Sequence, residues 1–223
     1  MKNIKYKKNK DYFLNSFSEF FKKFGLIEIR EIENQYLILI FNEYNFTLNK
    51  FIGKYLRKYF KYYKNLPLIL TKEFINNAKD VYGASLFYIK NFSKTIFGIN
   101  SFDIFDFNKD SIRIEIEKEL RSKLFNVINY GIEIKSKKKL YNIILKTLEN
   151  INYLVVGILY LIGIDYSNDF LINLENIVKF YEIEAGKSLI NYVKKEIKNY
   201  NIEDILLNLY NFLNYLILKV DKI

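Results

Sequence analysis

The sequence predicts an α+β fold, in which a small mixed sheet with helices is followed by an all-α helical bundle. Three observations predict it. Residues 26–41 contain two short runs with strand character, and Leu68–Leu70 a third. From Asn108 onward the apolar residues recur at helical spacing almost without interruption. Half of the 223 residues are hydrophobic, enough for a sizeable core at this length. The order of helix, hairpin, helix, strand, helix, strand and helical run divides the chain into an α+β part over residues 1–100 and a bundle over residues 108–223.

Asp11 to Phe24 reads as the first helix, because Phe13, Phe17, Phe20, Phe21 and Phe24 share one helical stripe. Leu26 to Ile32 sets Ile27, Ile29 and Ile32 against Glu28, Arg30 and Glu31, which predicts a half-buried strand with a late slip in phase. After a turn at Glu33-Asn34, the continuous run Tyr36 to Phe41 predicts a buried strand. Thr47 to Lys64 is an amphipathic helix, with Leu48, Ile52, Tyr55, Leu56, Tyr59 and Tyr63 on its apolar side. Asn65-Leu66-Pro67 ends it, because the residue before a proline avoids the helical region. Leu68 to Leu70 is a strand, and Thr71 caps a helix beginning at Lys72. Leu86 to Ile89 reads as a short strand or a turn of helix, and Gly98 to Phe107 as a connecting loop. The bundle is predicted as helices over 109–133, 137–163, 168–181, 186–199 and 202–220.

Composition excludes several chemistries. The chain has no Cys and no His. Disulfides, thiolate metal sites and every nucleophile that depends on histidine are therefore ruled out, and so is the commonest zinc ligand. The longest apolar run, Leu154 to Ile164, is about half the roughly 20 residues of a membrane span. The expectations are a cytoplasmic protein and no membrane partner. The net charge is +10, and residues 1–75 hold fifteen Lys and Arg against seven Asp and Glu. Such a region attracts phosphate, RNA, DNA or acidic proteins.

Pro67 opens the first of several segments that resemble a known family. Pro67-Leu68-Ile69-Leu70-Thr71-Lys72-Glu73, then Val81-Tyr82, Ile89-Lys90 and Ile96-Phe97-Gly98, are similar to a succession of segments in nucleotidyltransferase-like proteins of the DNA polymerase β superfamily. Ile112 to Leu124 resembles that family's "L-R-L-Q-x-E-R-E-L-R-G-K-L" helix, and the resemblance covers about residues 36–200. It implies a small nucleotidyltransferase-like palm followed by a C-terminal bundle. It also implies where the chemistry of an active member would sit, at a Gly-Ser turn and an Asp-x-Asp strand that gather two metal ions around a triphosphate. This chain has no Gly-Ser pair before Tyr36, and Tyr36 to Phe41 carries no Asp. Two further acidic positions of the family fall on Ser85 and Tyr88. The resemblance therefore implies a retained scaffold with its metal site lost, no catalytic residue, and no cofactor. Mg²⁺ enters only under the alternative of an active transferase using Glu31 and Glu33.

Three candidate sites follow. Lys50, Lys54, Arg57, Lys58, Lys61 and Lys64 fall on one side of the 47–64 helix without acidic partners, and are candidate phosphate or nucleic-acid ligands, with Tyr62 as a base-stacking neighbour. The alternative is an ordinary solvated helix face. Arg113, Glu117 and Arg121 are cleft candidates, mostly on the resemblance, the alternative being salt bridges along a helix face. Ala185-Gly186-Lys187-Ser188 contains a "GKS" triplet, but Tyr181 stands where a phosphate-binding loop needs glycine. The expected partners are RNA or another protein. The apolar excess of helices 137–163 and 202–220 fits either a homodimer through the bundle or burial within one chain.

Overall fold

The computed structural model describes residues 2–32, 35–103, 105–133, 136–196 and 200–223, with the backbone alone for 2–8 and 133. The described residues form ten helices and four strands. They make an α+β fold with a four-stranded mixed sheet and a helical C-terminal region. The chain divides into two compact units, Met1–Lys79 with Ile89–Asp106, and Asp80–Tyr88 with Phe107–Ile223.

The first unit is built on helix α1 (Lys2–Lys22), strands β1 (Leu26–Ile32) and β2 (Tyr36–Phe41), helix α2 (Thr47–Tyr59), strand β3 (Leu68–Thr71), helix α3 (Lys72–Asn77) and, after helix α4 (Gly83–Phe92), strand β4 (Lys94–Gly98). The sheet order is β3-β2-β1-β4. β2 pairs antiparallel with β1 and parallel with β3, and β4 joins the far side of β1 antiparallel. Thr71 caps α3 by accepting the Phe74 N–H at 3.0 Å. Phe13, Phe17 and Phe21 of α1 pack with Leu48, Ile52 and Tyr59 of α2 over Ile29, Leu37, Leu39 and Phe41 of the sheet.

The structure corrects the reading of β1. Its polar side was expected in solvent, but Glu28 and Arg30 are buried. A register shift between Leu26 and Glu28 puts Leu26 with Ile29 on the helix side of the sheet. On the other side Glu28 and Arg30 are met by Ser93, by Thr95 of β4 and by the turn Asn100–Phe102. Lys94–Gly98 carries no signal as a strand because only Thr95 and Phe97 of its five residues are even half-buried.

Arg30 gathers this region. Its Nε donates to Ser93 Oγ at 2.6 Å and its Nη2 to the Ser93 carbonyl at 3.0 Å. Its Nη1 donates to Glu28 Oε1 and Thr95 Oγ1, both at 2.9 Å, and to Asn100 Oδ1 at 2.5 Å. Glu28 also accepts the Thr95 hydroxyl at 2.6 Å and the Ser101 N–H at 2.8 Å. The guanidinium carbon stands 4.8 Å from the Phe102 ring centre. Both charges are therefore buried, paired and hydrogen-bonded, the condition under which a buried ion pair is tolerable. Gly98 (φ +85) crosses β1 so closely that a Cβ would overlap the Ile27 carbonyl.

The second unit holds the start of α4 and helices α5 (Lys109–Glu133), α6 (Lys137–Asn150), α7 (Asn152–Leu161), α8 (Phe170–Tyr181), α9 (Glu184–Val193) and α10 (Ile202–Val220). α5 and α10 occupy their expected ranges. The expected 137–163 helix is two helices bent by 41°. Ile151 interrupts it, and the Asn152 side chain is drawn into a buried polar cluster. Asn152 donates to Tyr88 Oη at 3.3 Å and accepts from Asn173 Nδ2 at 2.8 Å. Asp169 caps α8 by accepting the Leu171 N–H at 2.8 Å, and the helix begins at Phe170 rather than at 168. Among the described residues no single helix is long and apolar enough to cross a membrane.

Residues 86–89 lie inside α4, a helix rather than a strand. Ala84, Leu86, Phe87, Tyr88 and Ile89 are all buried, so no alternation marks the element. Gly83 starts it where a Cβ would lie 2.7 Å from the Ile112 backbone nitrogen. Buried Glu115 serves its first turn, with Oε2 accepting the Ser85 N–H at 3.0 Å and Oε1 accepting the Ser85 hydroxyl. A carboxylate is favourable at a helix N-terminus. Burial nevertheless pushes its carboxyl above the ordinary 4.5, against the opposing pull of the Ser85 hydrogen bonds.

Replacing Arg30 by Ala leaves Glu28 buried without its cation, and a loss of about 3–5 kcal/mol is expected in urea unfolding. Glu115 generates a pH prediction. Its folded carboxyl holds a proton more firmly than the unfolded one, so its contribution falls as pH rises through the range just above 4.5. Over that range the unfolding free energy of wild type should decline relative to Glu115→Gln, measured by denaturation at a series of pH values.

Candidate functional site

α2 is held to the first unit from below. Phe17 packs edge-on to Tyr55 at 5.4 Å, Phe24 stacks on Phe51 at 5.0 Å, and Tyr59 is almost wholly buried. The Tyr59 hydroxyl accepts the Leu37 N–H at 3.0 Å, which ties the end of the helix to β2. Burial pushes the Tyr59 phenol up to about 12, so this hydroxyl stays neutral. The rows of apolar residues along α2 thus explain one side of the helix completely.

The other side carries the basic residues. Lys50, Lys54, Arg57 and Lys58 lie on α2, and all four are exposed. Lys61 and Lys64 are exposed as well, but the helix ends at Tyr59 and these two stand on the turn and bend that follow. The reason is local. The Lys64 and Asn65 N–H groups both donate to the Gln35 carbonyl, at 3.0 and 2.9 Å, and this draws the chain off the helix axis toward the start of β2. No acidic residue occurs between Tyr44 and Lys72.

Helix stability does not account for this row. Arg57 and Lys58 in the last turn are favoured by the helix dipole, but Lys50 near the first turn is opposed by it. Lys50 and Lys54, and Lys54 and Lys58, are like charges four residues apart on the helix. Such pairs each cost an isolated helix about 0.2–0.5 kcal/mol. The row is a surface that repels itself in the free protein, and an anion laid along it relieves the repulsion.

Tyr62 does not join this surface. Its ring is half-buried against Phe13, with centres 5.5 Å apart. The exposed rings beside the basic row are Phe46 and Phe60, which patterning cannot separate from the many core phenylalanines of this chain.

The cleft candidates Arg113, Glu117 and Arg121 come together on α5, where their partners are one another and Asp221 at the end of α10. Arg121 bonds Glu117 at 2.8 Å and reaches Asp221 at 3.4 Å, and Arg113 approaches Glu117 at 4.0 Å. These are partly exposed pairs along one helix face, the arrangement that stabilises by tenths of a kcal/mol. Glu31 pairs with Lys10, and Glu33 lies outside the described residues. Among the described residues no group of three or more Asp or Glu converges as metal ligands would. Gly186 of the "GKS" triplet lies inside α9, where a Cβ would overlap Val178 of α8, so its glycine serves helix packing.

Compared with known proteins, the chain matches no family model, and no curated protein matches it.

Proposed function

We propose that this protein is a nucleic-acid-binding module that uses α2 as its interface. The observation that carries the reading is the row of six exposed cations on α2 and the turn after it, Lys50, Lys54, Arg57, Lys58, Lys61 and Lys64, in a stretch without a single carboxylate. A polyphosphate is the natural counterpart of such a row. Each cation that meets a phosphate releases counterions, so affinity falls steeply with salt. Steps of four residues advance about 6 Å along a helix, so the row offers a regular ladder of positive charge rather than a point site.

The scaffold reading goes with it. The likeness of Pro67–Glu73, Ile96–Gly98 and Ile112–Leu124 to nucleotidyltransferase-like proteins is supported by the order of a small mixed sheet followed by helices. On that reading the chain keeps a palm-like sheet without carrying out transfer. β2 has no carboxylate, the chain has no histidine, and the buried charges of β1 are spent on each other. Binding, rather than catalysis, is then what remains for the protein to do.

The test is oligonucleotide binding by fluorescence anisotropy over a salt series. With about five or six phosphates engaged on a single strand, the slope of log K against log salt should be near −4. Reversing Lys54, Arg57 and Lys61 to Glu should abolish binding and leave the melting temperature within a few degrees of wild type. Unchanged affinity in that triple variant would refute the reading. In a separate assay, ATP, GTP, CTP and UTP should give no Mg²⁺-dependent thermal shift. A shift would show that the sheet still holds a triphosphate and would restore an enzymatic reading.

A further inference from the structure

α2 carries a second row, which the basic residues do not explain. Phe46, Gly53 and Phe60 are spaced by seven residues. Seven residues complete two turns with a drift of about 20°, so the three lie nearly in line along the helix. Phe46 at the N-cap position and Phe60 at the C-cap position both have αR backbone, so the helical projection holds across the whole row. Arg57, Lys50 and Lys54 flank the line on one side, within about a quarter turn of Phe46, and Lys61 follows Phe60 on the turn.

Each member of the line lacks a reason internal to the fold. Phe46 is 81 % exposed and Phe60 49 %. Phe46 occupies a position that favours Ser, Thr, Asp or Asn, yet it makes no side-chain cap. Asn45 supplies one instead, accepting the Thr47 N–H at 2.9 Å. Gly53 sits in the helix interior, where only proline is less favourable. A Cβ there would meet nothing within 4 Å, so packing does not demand glycine. Each ring is steadied by a neighbouring tyrosine. Tyr44 lies 5.7 Å from Phe46 at 69°, and Tyr59 lies 5.5 Å from Phe60 at 80°. Edge contacts of this kind orient a ring and leave a face open.

Two open rings with a smooth gap between them, beside a ladder of cations, match one chemistry. Unpaired bases stack on exposed aromatic rings while their phosphates follow a basic track. In a duplex the base faces are already stacked on one another, and only the phosphates remain for the cations. The rings stand about 21 Å apart along the axis, a span of several nucleotides of a single strand. A residue without a side chain between them lets the strand approach the helix backbone.

We infer that α2 binds single-stranded nucleic acid, with phosphates along Lys50, Lys54, Arg57 and Lys61 and unpaired bases on Phe46 and Phe60 across Gly53. The inference rests on the reading of α2 as a nucleic-acid interface and adds the form of the ligand.

The test uses the full chain and four probes: a twelve-nucleotide oligo-U, the matching oligo-dT, a duplex of the same length, and heparin as a polyanion without bases. Both single strands should bind more tightly than the duplex, and their ratio separates RNA from DNA. Changing Phe46 and Phe60 together to Ala should weaken single-strand binding by at least about tenfold and leave heparin binding unchanged. Gly53→Leu should weaken single-strand binding similarly without lowering the melting temperature, because the added side chain meets nothing in the fold. Equal affinity for single strand and duplex, with all three substitutions silent, would overturn this inference. It would leave the electrostatic reading standing and turn attention to a protein partner for the two rings. Failure of all four probes to bind would overturn both.

Discussion

The buried pairing of Arg30 with Glu28 is the constraint around which the first unit is arranged. A guanidinium and a carboxylate removed from water must have every strong hydrogen-bonding direction answered, or the fold loses several kcal/mol. The answers come from far along the chain, from Ser93, Thr95, Asn100 and Ser101. The pair therefore dictates that β4 lies beside β1 and that the following turn folds over it. It also makes β1 an interior strand with both faces covered, although its sequence has the alternation of a strand with one wet face.

This polar cluster lies on one side of β1, and the other side of the sheet is closed by aromatics. The phenylalanine stripe of α1 and the Tyr55–Tyr59 side of α2 interlock over β1 and β2. The consequence for function is indirect but physical. α2 is fastened along its whole apolar side and by the Tyr59 hydroxyl to Leu37, so its outward side is presented on a rigid support. A self-repelling row of cations on a marginal helix would fray it. On a helix held by packing, the same row is a stable surface with a standing preference for anions.

Much of the fold was legible in the sequence. Lys109–Glu133 and Ile202–Val220 follow from long helical patterns, and Tyr36–Phe41 from a short apolar run with β-branched residues bounded by turns. The positions of Lys50, Lys54, Arg57 and Lys58 follow as well, because exposed charge on an amphipathic helix obeys the same period as its buried side, whereas Lys61 and Lys64 lie beyond the helix end. What escaped was of two kinds. α4 is buried without alternation and the exposed Ile96 hides the alternation of β4, so only their tertiary surroundings choose helix or strand for these short elements. Phe46 and Phe60 escaped because twenty phenylalanines look alike in sequence, and only burial separates those that build the core from those that face solvent.

The sequence by itself determined the class of fold, the helical C-terminal region, the basic character of α2 and the absence of histidine and cysteine chemistry. These depend on composition and on local periodicity, which a linear string carries in full. Tertiary structure alone decided that Glu28 and Arg30 are interior, that Arg113, Glu117 and Arg121 satisfy one another and Asp221, and that Phe46, Gly53 and Phe60 form an uncovered line. Each of those is a statement about which distant residue stands next to which, or about what covers a side chain. Neither is written in the spacing of neighbours along the chain.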